Sequence, residues 1–439
     1  MKILLLDPQR KVNHRISKDT SGGYGTGNDF GDTFVPKTLK YLMKKNSHWP
    51  PMHAIYTYAV LEKMGHEIVY EENLLDDFKN YDLFIIVSSI VCCETEIDII
   101  KLLKSENKKV FVIGPFATNI PKKYYEAGAT IISGESEFYF LKNKNFDEDL
   151  KKEIVKFDHN FTVDDLPFPP WNKVIKDFNK VNNLFGKNKS LPILGTRGCP
   201  YSCQTYCVYP LQQGRKVRQR EPKKIVDEIE YWKKNFGVTM FIFRDPVFSI
   251  NKKHTLDFCR ELYGRNLNIK FVIETHLRIL DTDLIKELLK CGLKGVKVGV
   301  ESANSDVLSD AERFTVSKDV QLTKIRELEE NKIMVSAMFI IGFPADTEET
   351  INKTIDYAKS LNTSFAQFSV WTPYPGTPIF NKFKDKISVK RYESFDQYNL
   401  VYEHKLFDAK KIRFFLGKAY STYYFRLSWL SKHLFNFIK

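Results

Sequence analysis

No stretch of this 439-residue chain is apolar for long enough to cross a bilayer. The longest, Leu83 to Cys93, is broken by Ser88 and Ser89 and fits a buried strand. Met1-Lys2-Ile3-Leu4-Leu5-Leu6-Asp7 turns polar too early for a signal peptide and reads as a first strand, so a cytoplasmic location is expected. Cysteine is scarce: seven residues, an odd number, which speaks against a disulfide framework and for a reducing compartment. Histidine is scarce too, with nine. No short internal repeat is present. Acidic residues fall behind basic ones, for a net charge of +13. A generic lysine-rich surface explains that charge most simply; an anionic substrate, an anionic membrane or nucleic acid would also suit it.

Three of the seven cysteines stand within nine residues, in Gly198-Cys199-Pro200-Tyr201-Ser202-Cys203-Gln204-Thr205-Tyr206-Cys207. The spacing is C-x3-C-x3-C. Three thiolates with no fourth nearby suggest an iron–sulfur cluster with one open position, since such clusters are normally held by four cysteines. A zinc site would want four closed ligands, and the nearest histidines, His159 and His254, are distant in sequence. A disulfide plus a spare thiol is the remaining alternative.

The length predicts two or three domains, and the 43% hydrophobic content suffices for ordinary cores. Over residues 1–144, strands (Ile3–Leu6, Glu67–Tyr70, Leu83–Ser88, Val110–Ile113, Thr130–Ser133) alternate with helices (Ala54–Met64, Ile97–Ser105). This predicts an α/β, Rossmann-like parallel sheet covered on both faces. Ligands of such sheets bind at the carboxyl ends of the strands, where Ser88, Ser89, Gly114, Gly134 and Glu135 fall. The glycine-rich run Ser21 to Gly27 precedes no evident helix and reads as a flexible loop over the site. Residues 145–190, with Pro167, Pro169 and Pro170, read as a linker. Residues 191–385 alternate again: strands Ile193–Thr196, Met240–Phe243, Lys270–Glu274, Gly295–Val300, Met334–Ile341 and Phe365–Thr372, with helices such as Pro222–Phe236, Asp283–Cys291 and Glu348–Leu361. Six β/α repeats predict a partial (β/α)6 TIM-like barrel, its chemistry at the carboxyl strand ends. Residues 386–439 form a helical C-terminal extension. Its Lys410–Lys439 part has seven basic residues, no acidic ones and nine aromatics, with Phe415, Tyr423, Leu427, Leu430, Leu434 and Phe437 near one helical face.

Read together, the motifs resemble radical S-adenosylmethionine enzymes with an N-terminal cobalamin-binding domain. The cysteine loop follows the first barrel strand, and Tyr206 precedes the third cysteine. Arg244-Asp245-Pro246-Val247-Phe248, Glu274 to Arg278, Val298-Gly299-Val300-Glu301-Ser302, Ile341-Gly342-Phe343-Pro344 and Pro373-Tyr374-Pro375-Gly376 close the later strands in order. The usual cysteine spacing of that family is C-x3-C-x2-C; one extra residue precedes Cys207 here.

The resemblance implies that Cys199, Cys203 and Cys207 hold a [4Fe–4S] cluster whose fourth iron takes the amino and carboxylate groups of S-adenosylmethionine. Reductive cleavage then yields a 5′-deoxyadenosyl radical that modifies an unactivated carbon. Tyr206, Asp245, Glu274, Arg278, Glu301, Ser302 and Gly342 become candidates for contacts to S-adenosylmethionine, Arg278 as partner of its carboxylate. The first domain resembles cobalamin modules in Pro50-Pro51-Met52, Gly65-His66, Gly114-Pro115 and Gly134-Glu135, although it lacks the Asp-x-His-x-x-Gly motif that gives cobalt a histidine. Ser88, Ser89, Gly114, Pro115, Gly134 and Glu135 are the implied cobalamin residues, or else the domain kept the fold and lost the cofactor. The implied activities are cobalamin-dependent methyl transfer, a cyclisation or rearrangement without methyl transfer, or tRNA modification. The last usually brings an extra N-terminal cluster, which Cys92 and Cys93, adjacent in a strand, cannot form alone. Nucleic acid is therefore not an expected partner. The implied partners are a small-molecule or lipid-type substrate and a flavodoxin- or ferredoxin-like reductant. The aromatic, basic tail either contacts a membrane surface or docks across the barrel as core.

Overall fold

The computed structural model describes residues 1–438 except 46–48, 158–161, 177, 179–181, 184–185, 202–206 and 314–315. For 45, 182–183, 186–188 and 433–438 it describes the backbone alone. Cys203 and Tyr206 thus lie outside the described residues, as do the side chains of Leu434 and Phe437.

The first domain contains β1 (Lys2–Leu6), α1 (Phe34–Lys45), α2 (Met52–Lys63), β2 (Glu67–Glu71), β3 (Leu83–Val87), α3 (Cys93–Ser105), β4 (Lys109–Ile113), α4 (Pro115–Asn119), α5 (Lys122–Glu126), β5 (Thr130–Ile132), α6 (Ser136–Lys142) and β6 (Ile154–Val155). Its six strands pair in the order β2-β1-β3-β4-β5-β6, all parallel. The central strands are apolar on both faces because helices cover both; all five residues of Leu83–Val87 are buried. The last strand, Ile154–Val155, comes from the segment read as linker and completes this sheet. Cys92 and Cys93 do not sit in a strand: β3 ends at Val87, and Cys93 opens α3. Ser89 causes the turn, its hydroxyl accepting the Cys92 N–H at 3.1 Å while Glu96 accepts the Ser89 N–H at 3.1 Å.

The second domain contains α7 (Trp171–Val174), β7 (Asn182–Asn183), β8 (Gly186–Ile193), β9 (Thr196–Arg197), α8 (Tyr209–Gln213), β10 (Arg218–Gln219), α9 (Pro222–Phe236), β11 (Met240–Phe243), α10 (Lys252–Gly264), β12 (Lys270–Glu274), α11 (Thr282–Lys290), β13 (Leu293–Glu301), α12 (Ser305–Asp310), α13 (Lys318–Glu330), β14 (Met334–Ile341), α14 (Glu348–Leu361), β15 (Phe365–Val370), α15 (Pro378–Phe383), α16 (Ala409–Tyr424) and α17 (Leu427–Ile438). The sheet order is β15-β14-β13-β12-β11-β8-β7, parallel from β8 to β15, with β7 folded back antiparallel on β8. This is the expected partial barrel. Helix ends follow sequence chemistry: α9 starts on Pro222 and stops at Gly237, which takes φ +67°.

The aromatic tail does not form a single helical face. The chain breaks at Phe425 and Arg426, where Arg426 binds Asn362 Oδ1 at 2.9 Å, and Leu427 projects outward at 85% exposure. Helix α16 instead lies along the open edge of β15. The Tyr420 hydroxyl accepts the Phe368 N–H at 3.1 Å and donates to the Phe368 carbonyl at 2.9 Å. Tyr424 repeats this on Ala366, at 3.0 and 2.8 Å. Two phenols thus satisfy backbone groups that a further strand would have paired.

The glycine-rich segment is packed into the fold, with Gly23 against Pro115 and Gln212. Tyr24 is fully buried between Phe116 and Tyr374, with ring centroids 5.3 and 5.6 Å away, and its hydroxyl donates to the Pro375 carbonyl at 2.9 Å. It ties the first domain to the barrel. No helix among the described residues is long and apolar enough to cross a membrane.

Candidate active site

The cysteine loop leaves the barrel directly after β9, and both of its ends are anchored. Gly195 N–H donates to both carboxylate oxygens of Asp245, each at 3.1 Å. Arg220, paired with the buried Glu228 at 2.6 Å, donates to the Leu194 carbonyl at 2.9 Å. Gly198 holds φ +89°, and a Cβ there would stand 2.2 Å from the Lys216 carbonyl oxygen, so only glycine fits this close approach. Cys199 N–H then bonds the Gly214 carbonyl at 3.2 Å. Cys199 is buried and Cys207 half-buried, and neither is disulfide-bonded. Among the described residues no group of three or more His, Cys, Asp and Glu stands together as a metal site. The donor chemistry of Cys199 and Cys207 fits an iron–sulfur cluster; Cys203 lies outside the described residues.

Directly before this loop, Arg197 reaches into the first domain. Its guanidinium lies 2.5 Å from Glu135 and 2.7 Å from Glu137, over the rings of Tyr56 and Phe138. Arg218 binds the other oxygen of Glu135 at 2.6 Å. Burial opposes charge on Glu135, but Arg197 and Arg218 outweigh it and hold its carboxyl below the ordinary value. At Glu137 burial wins over Arg197, and the carboxyl is pushed up. A narrow cleft of about 20 Å³ opens here, lined by Gly114, Pro115, Gly134 and Glu135 from the first domain and by Arg197 and Gln213 from the second. Four of the six residues expected at a corrinoid therefore share one wall. The other two lie deeper. Ser88 Oγ accepts the Ala117 N–H at 3.0 Å. Ser89 Oγ donates to Glu96, which pairs with the fully buried Lys18 at 2.8 Å; Lys18 also meets Asp7 at 2.9 Å. This ionic plug sits between the ends of β1 and β3, where the strand order reverses.

The residues expected around S-adenosylmethionine are less gathered. Glu274 ends β12 inside the barrel; burial raises its carboxyl, opposed by Lys297 and Arg244. Burial likewise lowers the Lys297 amine. Arg244 reaches across to Asp19 of the first domain at 3.1 Å. Glu301 is paired with Arg313 at 2.9 Å and takes φ +68° at a bulge in β13. Ser302 Oγ lies 3.2 Å from Thr354 Oγ1 on α14. Gly342 is met by Ile412 of α16, 3.2 Å from where its Cβ would be, and its carbonyl accepts from Tyr402. Arg278 is exposed in the turn after β12, its N–H on His276 Nδ1 at 3.2 Å. Asp245 is fully buried beneath the cysteine loop, where it acts on the loop backbone. Arg197, Lys297, Lys18 and His53 escaped the sequence reading. The groups that Arg197, Lys18 and Lys297 face lie in other elements, and only Lys297, alternating with apolar residues in a strand, carried a local signal.

The described residues form a two-domain α/β protein in which Cys199 and Cys207 flank a loop that follows the first strands of a partial barrel. Residues 193–358 match the Radical SAM superfamily, a match that implies a [4Fe–4S] cluster and S-adenosylmethionine as the working groups of that domain. The chain is 26% identical over 362 residues to the uncharacterized methyltransferase PH0819 of Pyrococcus horikoshii, covering 76% of this chain and 77% of that one. It is 25% identical over 349 residues to the bacteriochlorophyllide d C-12(1)-methyltransferase of Chlorobaculum tepidum, covering 78% and 74%. Its fold is similar to the radical S-adenosylmethionine methyltransferase TsrM of Kitasatospora setae, solved with cobalamin and a [4Fe–4S] cluster. That match has a TM-score of 0.62 at 16% identity and covers 88% of this chain and 74% of that one.

Proposed function

We propose that this enzyme transfers a methyl group to an unactivated carbon with the help of cobalamin. The observation that carries the reading is the shared cleft. Its one wall is the strand-end turns of β4 and β5, and its other is Arg197, two residues before Cys199. A methyl carrier held by the first domain would thus face the radical source of the second. The fit is chemical: Gly114, at φ +109°, leaves its space to the His53 ring and Ser88, and a Cβ there would stand 2.9 Å from each. His53 is buried with both ring nitrogens unpartnered. Loading requires the cleft walls to part, since the opening is far smaller than a corrin.

In this reading Gly114, Pro115, Gly134 and Glu135 hold the cobalamin side, and Cys199, Cys203 and Cys207 hold the cluster. Glu274, Lys297 and Arg244 offer the charges that the amino and carboxylate groups of S-adenosylmethionine require. Bound together, these groups supply a radical and a transferable methyl. The chain excludes water, fixes the loop and sets the distance between its two domains. The substrate is a small or lipid-type molecule, and a flavodoxin- or ferredoxin-like protein supplies electrons. Membrane contact through α16 is not part of this reading, because Tyr420 and Tyr424 of that helix are committed to β15.

The test is anaerobic reconstitution with iron, sulfide and cobalamin, followed by S-adenosylmethionine and dithionite, with Cys203→Ala as control. About four irons per chain, one cobalamin and cysteine-dependent 5′-deoxyadenosine support the reading. Cleavage in a protein that retains no cobalamin would replace methyl transfer by cyclisation or rearrangement. Zinc in place of iron would remove the radical chemistry altogether.

A further inference from the structure

The chain that follows β1 and β2 encloses a second cavity, of about 490 Å³. It is lined by Arg10, Lys11, His14 and Arg15 after β1, by Glu72 after β2 and by Lys44 near the end of α1. Small-molecule sites run to about 300–1,000 Å³, and ligands of parallel sheets bind at the carboxyl ends of the strands. Four cations here face one carboxylate. Their charge is poorly matched from within. Arg10 Nη1 lies 3.4 Å from Glu393, which Arg391 also holds at 2.8 Å. Lys44 spends its amine on the Val12 carbonyl at 2.8 Å. The Nε atoms of Arg10 and Arg15 are both buried without a hydrogen-bond partner. Burial disfavours charge on the Arg15 guanidinium and outweighs the help of Asp19, which is itself paired with Arg244 of the barrel at 3.1 Å. The charge of Arg15 is also felt at Lys297, so this end of the cavity borders the charged group inside the barrel. Burial lowers the His14 imidazole to about 4 against the pull of Asp29, and the neutral ring adds a hydrogen-bonding group without adding charge.

We propose that this cavity binds a phosphate group, free or esterified to a small molecule, with Arg10 and Arg15 as its principal contacts and Lys11 and Lys44 at the exposed rim. Guanidinium groups fork onto phosphate oxygens through charge-assisted hydrogen bonds, which use the donors left idle here. The charge decides between phosphate and carboxylate. A lone carboxylate would neutralise one cation of the four, whereas a phosphate monoester carries about −1.5 to −2 at neutral pH. Bound phosphate would also supply the counter-charge that the half-buried Arg15 lacks. The proposal stands apart from the cobalamin reading, and its test leaves that reading untouched.

The experiment is anaerobic equilibrium dialysis of the reconstituted full-length protein against 32P-labelled inorganic phosphate and 32P-labelled ribose 5-phosphate, without S-adenosylmethionine. It is run on wild type, Arg15→Gln, Arg10→Gln and Lys290→Gln, the last removing an equal charge from α11. The expected result is one site per chain that acetate at equal concentration does not empty. Arg15→Gln and Arg10→Gln should each raise its dissociation constant about tenfold or more, and Lys290→Gln less than about twofold. Binding of inorganic phosphate alone upholds the site and identifies the free ion as its ligand. Ribose 5-phosphate bound at least as tightly upholds it and identifies an ester. No binding of either probe by wild type overturns the proposal. So does binding that survives both arginine variants, binding that Lys290→Gln weakens as much, or displacement by acetate. Iron per chain, counted after dialysis, shows which variants are intact, and Arg10→Gln locates the site if Arg15→Gln is not.

Discussion

Replacing Arg197 by methionine removes the cation that pairs with Glu137 in the cleft wall. Arg197 is 3% exposed and Glu137 fully buried, whereas Glu135 keeps Arg218 at 2.6 Å. Breaking a buried pair by deleting one partner costs about 3–5 kcal/mol. Glu137 already has a raised carboxyl and escapes part of that cost by taking a proton, which puts the expected loss near the lower end, about 3 kcal/mol. The sign with pH follows. A carboxyl whose folded value lies above its unfolded one destabilises where it is charged, so the gap between wild type and R197M narrows as pH falls from neutral. Urea titrations of R197M, Glu137→Gln and the double variant measure this, with constant m as the check on cooperativity. The double variant should recover part of the loss, because the two sites couple directly. A loss below about 1 kcal/mol, or a gap that widens on acidification, would refute the assignment of Arg197 as the buried tie between cysteine loop and first domain.

Gly198→Ala forces a Cβ against the Lys216 carbonyl at a left-handed φ; the iron retained after reconstitution should fall well below wild type while the far-UV spectrum is unchanged. Asp245 carries a carboxyl raised to about 6 by burial, which the Gly195 N–H only partly offsets. Wild type should therefore gain up to about 3 kcal/mol relative to Asp245→Asn as pH drops through 6 towards 4, seen by denaturation of the apoprotein; a difference flat from pH 7 to 5 would contradict this. Tyr424→Phe leaves the Ala366 N–H and carbonyl without the phenol, at about 1–3 kcal/mol. Hydrogen exchange at Ala366 should accelerate at least about fivefold while exchange in β4 stays as in wild type.

Much of the scaffold is legible in the sequence because it is local. Met240–Phe243, Lys270–Glu274 and Met334–Ile341 are apolar segments bounded by charge or glycine, and the structure returns the same limits. Pro222–Phe236 and Glu348–Leu361 are likewise bracketed by their own caps. The cysteine loop announces itself by spacing. What was not legible depends on partners distant in the chain: Arg197 meets Glu135 at a separation of 62 residues, and Lys18 meets Glu96 at 78. A lone arginine or lysine has no periodicity to betray it. The tail left two readings open, a membrane surface or the barrel, because the need its aromatics meet, the bare edge of β15, is invisible in their own segment.

That edge has a consequence for biosynthesis. The strand is made well before the residues that seal it, and until Tyr420 and Tyr424 emerge its backbone groups can pair only with water or another chain. The same helix grips the opposite end of the sequence: Arg413 clasps Asp32, 381 residues earlier, and Asp29 beside it. Late-made α16 thus closes the barrel and latches the early loop in one event. A nascent chain stalled before residue 409 would present an unguarded strand and a loose interdomain loop together, the state in which chaperone capture or edge-to-edge association is most to be expected.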